Sequence, residues 1–130
     1  MFKTFVKLSA IASVAVASVA VAVPADTKVT VNAKSKQQID SMCESVGKFG
    51  AKVFEEMVRQ GNVSELISKA KQMDKGTGLL MLAAAEAAIL HFASATKDHG
   101  LYASEYKLQK ELAETAAYIR CHSMVAPKFN

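Results

Sequence analysis

The chain has 130 residues, 51% of them hydrophobic and 22% charged, with a formal net charge of +4 at pH 7. That length supports one core and one domain, which excludes multidomain machinery. Lys and Glu interleave along the chain without a basic block, which excludes the charge footprint of a nucleic-acid binder.

The first residues, MFKTFVK, carry Lys3 and Lys7, and the run from Leu8 to Val23 that follows has no charge. A basic start ahead of a short, Ala-rich apolar run is the layout of a secretory signal peptide. Two cuts satisfy the small-residue rule: after Ala22, with Ala20 at the third position before the bond, or after Ala25, with Val23 there. Pro24, a helix breaker just ahead of the bond, favours Ala25, so residues 1–25 read as the signal. The run is short for a bilayer span, and no stable membrane insertion is expected after cleavage. No cysteine lies near the cut to take a lipid. The expected location is periplasmic or secreted.

Residues 26–35 read as a flexible leader. KVTVNA, Lys28 to Ala33, alternates as a short strand would, yet its place near a terminus favours a mobile segment. A helical domain is expected over residues 36–126. Ser35 and Gln38 form a capping box. After them Ile39, Met42, Cys43, Val46, Phe49, Gly50, Val53, Phe54 and Met57 recur at three- and four-residue steps, so a first helix buries one face that includes Cys43. Gly50 at the centre of that face lets another helix approach closely. Gly61 and Asn62 end this helix, and Asn62 with Glu65 opens a short second one through Leu66, Ile67, Ala70 and Met73.

Gly76 stops the second helix, and Thr77 is placed to cap a third. That helix is apolar around most of its circumference between Leu79 and Ala95, the pattern of a central helix in a bundle. Glu86 and His91 interrupt it and count against a membrane span. The fourth helix, Leu101 to Met124, has a leucine stripe of Leu101, Leu108, Leu112 and Ile119. A second stripe of Tyr106, Ala113, Ala117 and Met124 predicts contact with two neighbours. Pro127 ends the helix, leaving residues 127–130 as a loose tail.

Cys43 and Cys121 are the two cysteines of the chain. No C-x-x-C, C-x-x-C-H or zinc set surrounds them, and in an oxidising compartment they read as a disulfide. An up-down-up-down bundle brings the start of its first helix beside the end of its last, where these cysteines fall. The expected fold is therefore an all-α, up-down-up-down four-helix bundle closed by one disulfide. Cys121 lies nearly opposite the leucine stripe. Either the alanine side of the fourth helix meets the first, or the last turn unwinds.

Few positions carry chemistry. Glu86 sits in the stripe of Leu79, Leu82, Ile89 and Leu90, where a buried carboxylate needs a partner from another helix or serves as an acid or base. His91, His99 and His122 are scattered, and no Glu-x-x-His pair, G-x-S-x-G or phosphate loop occurs. No enzyme activity, metal or cofactor is expected. Met42 and His122 are the candidate ligands of a lesser alternative, a haem or small-ligand carrier, but the cysteines crowd them. The connection before the fourth helix gathers Lys97, Asp98, His99 and Tyr102 near one bend, a candidate partner-binding surface.

The leading expectation is an exported protein that binds and blocks another protein, of the immunity, hydrolase-inhibitor or exclusion type. An acid- or stress-activated periplasmic chaperone, with Glu86 as a trigger, is the alternative. The expected partner is a protein rather than nucleic acid, and the pattern is also compatible with a homodimer. In general form the chain resembles the small helical immunity proteins against exported amidase toxins, which also place cysteines on the first and last helices. The likeness is architectural, and no functional residue is carried over from it.

Overall fold

Local chemistry sets the helix boundaries in the computed structural model, which describes residues 22–98 and 100–129. Helix α1, Lys36–Gln60, begins at Ser35, whose Oγ accepts from the Gln38 N–H at 3.3 Å. Gln38 Oε1 accepts in turn from the Lys34 N–H at 2.7 Å, so the cap also fixes the chain ahead of it. Gly61 ends α1 with a left-handed φ of 68°, and its N–H closes on the Glu56 and Met57 carbonyls. Glycine takes that conformation without a Cβ penalty.

Helix α2, Ser64–Lys71, starts two residues beyond Asn62, whose Oδ1 accepts from both the N–H and the hydroxyl of Ser64. Helix α3, Lys75–Ala95, is capped by Asp74 rather than Thr77. Asp74 Oδ2 accepts from the Thr77 N–H at 3.2 Å, so Thr77 is the donor of the cap and Gly76 lies inside the first turn. A 3₁₀ turn, Ala103–Glu105, leads into helix α4, Tyr106–Met124.

The four helices pack as a small all-α bundle, with α1, α3 and α4 in extensive mutual contact and α2 set against α3. Cys43 and Cys121 are joined, with their Cα atoms 5.5 Å apart, so the disulfide ties the first helix to the last. Helix α4 runs antiparallel to α1 and meets it through small residues. A Cβ placed on Gly50 would stand 2.5 Å from the Ala117 Cβ, and one on Gly47 would stand 3.1 Å from the Glu114 carbonyl oxygen. Of the two arrangements open to Cys121, the alanine side of α4 is the one that faces α1.

The core has two centres. Phe54, Met57, Ile67, Ile89, Phe92 and Leu101 fill the end remote from the disulfide, where Phe54 and Phe92 meet edge to face at 5.6 Å. Val29, Ile39, Val46, Leu80, Met124 and the two cysteines fill the other end. Although α3 has the length and composition to cross a membrane, it lies here against α1, α2 and α4.

The leader and tail differ from expectation. Val29–Ala33 forms strand β1 and Val125–Phe129 forms strand β2, paired in parallel with Val29 opposite Val125 and Ala33 opposite Phe129. The helical part therefore ends at Met124, and each segment expected to be loose contributes residues to a strand. Parallel strands need a long crossover, and here the whole bundle is that crossover. Val29 and Ala33 are buried at the disulfide end, which supplies the apolar support that a two-stranded ribbon lacks alone. The expected signal falls largely on residues 1–21, outside the described residues.

Candidate functional site

The small residues of α4 face inward, and that decides what faces outward. Ala113, Ala117, Cys121 and Met124 are buried, whereas the stripe expected to pack is split. Leu101 is fully buried, but Leu108, Leu112 and Ile119 are 57%, 43% and 60% exposed. The reason is steric, since a Cβ on Gly50 of α1 would already stand 2.5 Å from the Ala117 Cβ, an approach too close for a leucine in place of that alanine. On α3, Leu90 is likewise 53% exposed.

Polar pairs cross the seam between α3 and α4. His91 Nε2 lies 2.8 Å from Gln109 Oε1, and Arg120 Nη1 lies 3.6 Å from Glu86 Oε1. Leu90 on α3 and Leu108, Leu112 and Ile119 on α4 are large aliphatic side chains left exposed on these two helices, apolar area of the kind that takes part in association.

Glu86 is half-buried and held by two groups from opposite ends of the chain. Besides Arg120, the Val23 N–H donates to its Oε1 at 3.3 Å. Arg120 Nη2 donates to the Val23 carbonyl at 2.8 Å, and its buried Nε has no hydrogen-bond partner among the described residues. Glu86 thus has an arginine and a backbone amide where the sequence called for a partner from another helix. Arg120 was not legible as that partner, because nothing in its neighbourhood distinguishes it from other charged residues of α4.

The predicted partner-binding residues flank the bend between α3 and α4. Lys97 and Asp98 are exposed, Tyr102 is 41% exposed, and His99 lies outside the described residues. Leu101 anchors the bend in the Phe54–Phe92 core. Beside it, Glu55, Val58, Arg59, Leu101, Ala103 and Tyr106 line a shallow depression of about 330 Å³. Lys110 Nζ stands 5.7 Å from the centre of the Tyr106 ring, at cation–π range.

At the disulfide end, His122 is engaged by protein. Its Nε2 lies 3.3 Å from Asp40 Oδ1 and its ring centroid 4.7 Å from that of Tyr118, while Met42 packs against the core. Among the described residues, no group of three or more His, Cys, Asp or Glu side chains is arranged to hold a metal ion. The Thr77 backbone N–H, followed by its hydroxyl, holds the Asp74 carboxyl below its ordinary 3.8.

No protein-family model, curated protein or solved structure matches this chain.

Proposed function

We propose that this is an exported, non-catalytic protein that binds and blocks another protein, in the manner of an immunity protein, a hydrolase inhibitor or an exclusion factor. The observation that supports binding is the outer surface of α3 and α4, where Leu90, Leu108, Leu112 and Ile119 stay exposed while α4 turns Ala113, Ala117 and Cys121 inward. Tyr102, at one end of α4, adds aromatic surface of the kind that anchors interfaces. Export is supported by the basic and apolar start of the chain and by the disulfide, since such bridges persist in oxidising compartments.

The partner favoured is a folded protein with a complementary apolar groove. The test places a photo-crosslinking side chain at position 112 and irradiates the exported protein in its native compartment. One stoichiometric adduct, abolished by Leu108→Glu and by Ile119→Glu, is the expected result. A ladder of many unfolded clients, growing in acid, would replace this reading with the chaperone. Adducts of the chain with itself would replace it with a homodimer.

A further inference from the structure

The segment ahead of β1 is not merely close to the bundle; Val23, near the start of the described residues, is received there. Val23 is 7% exposed and joins the disulfide-end core, whereas Ala22 just before it is exposed. Both backbone groups of Val23 are taken by side chains: Glu86 accepts from the N–H, and Arg120 donates to the carbonyl. Those two side chains come from α3 and α4. Neighbouring bonds stiffen the approach, with the Thr27 N–H donating to the Pro24 carbonyl at 3.1 Å and Lys28 Nζ donating to the Ser123 carbonyl at 2.6 Å.

A carboxylate aimed at a backbone nitrogen is a receptor for more than an amide. We propose that an exported endopeptidase hydrolyses the peptide bond between Ala22 and Val23, and that the ammonium group so created docks on Glu86. Water adds across the bond. The Ala22 carbonyl carbon gains the hydroxyl and leaves as a carboxylate, while the Val23 nitrogen gains the proton and, at neutral pH, a second one from solvent. The new amine carries a positive charge where a neutral N–H had stood, 3.3 Å from Glu86 Oε1. Arg120 keeps the Val23 carbonyl in place beside it.

Two independent features favour this bond over the one after Ala25. Ala20 and Ala22 satisfy the small-x-small rule more closely than Val23 and Ala25. A cut after Ala25 would also discard the buried Val23 and leave its receptor empty. The inference rests on the export reading above, and the experiment separates the two. The full chain is expressed in a host with an export pathway, recovered from the periplasm or medium, and its first residue determined by terminal sequencing and intact mass. Val23 is the expected start. A start at Asp26, or at any other processed position, overturns this inference and leaves export standing. A chain retained inside with Met1 attached overturns both.

The docking of the amine has its own readout. Glu86→Gln should lower the Tm of the Val23-start protein by about 4–8 °C, and clearly less in a chain that still carries Ala22, where an amide replaces the ammonium. An equal fall in the two backgrounds would overturn the ion pair, because the carboxylate would then act only on Arg120. Folding of the Gln variant is checked by its circular dichroism. Should that variant fail to fold, acetylation of the Val23 amine in the unsubstituted protein serves instead, with a lowered Tm expected and an unchanged one overturning the pair.

Discussion

Gly50 on α1 faces both α4 and α3, and one added methyl group tests the packing of the bundle. A Cβ there would lie 2.5 Å from the Ala117 Cβ, with the Ala84 carbonyl oxygen at 3.5 Å. Helix propensity alone makes Gly50→Ala favourable by up to about 1 kcal/mol. Forcing α1 and α4 apart costs about 1–3 kcal/mol. Neither neighbour is a flexible tip that can swing away, so the second term wins, and urea titration should show a net loss of about 1–2 kcal/mol. An unchanged midpoint would mean that α4 can slide without loss. Asp74 makes a second test through pH. Its folded-state pKa is depressed by the Thr77 N–H, so its stabilising effect is complete above the unfolded value and disappears as pH falls through the folded one. Asp74→Ala should therefore lower Tm at neutral pH and converge on the parent in strong acid. A gap that persists there would assign the loss to something other than the charged cap.

At the scale of the element, α4 and the strands make separate claims. The outward row of α4 contributes little to the core, so Leu108→Glu and Ile119→Glu should change stability by no more than about 0.5 kcal/mol while removing the partner crosslinked from position 112. A large fall in Tm would return those side chains to the core. The strands depend on what lies behind them. Val29 and Ala33 share their apolar cluster with the two cysteines, and β1 pairs with β2 across nearly the whole chain. Opening the bridge by reduction should therefore accelerate hydrogen exchange in β1, β2 and the first turns of α1 before the Phe54–Phe92 end loosens. Uniform acceleration would show that the two ends of the core unfold as one unit.

For the molecule as a whole, the disulfide closes a loop of 78 residues. Chain entropy assigns such a closure about 4–5 kcal/mol, a large part of the roughly 5–15 kcal/mol typical of a domain. The double variant Cys43→Ala, Cys121→Ala should lose an amount of that order in urea titration, and its transition should broaden if the ends uncouple. The bridge, the β1–β2 ladder and the contacts of Val23 with Glu86 and Arg120 all bring distant parts of the chain together at one side of the bundle. That concentration holds the start of the described chain on the folded body, and it leaves the α3–α4 leucines as the open surface.

Sequence alone determined the local features of this protein: the Ser35 cap, the Gly61 stop, the buried face of α1 and the joining of Cys43 to Cys121. Caps and stops depend on residues within five positions, and a lone pair of cysteines on helices expected to be neighbours has one economical pairing. Tertiary structure decided which stripe of α4 turns inward, because Gly50 on α1 admits Ala117 and leaves no space for a leucine, a fit between surfaces more than 60 residues apart in the chain. It also decided that the leader and tail are strands, since neither can form without the other and both need the apolar floor beneath them. Arg120 as the partner of Glu86 belongs to the same class, for an ion pair between helices is chosen by the packing that brings them together.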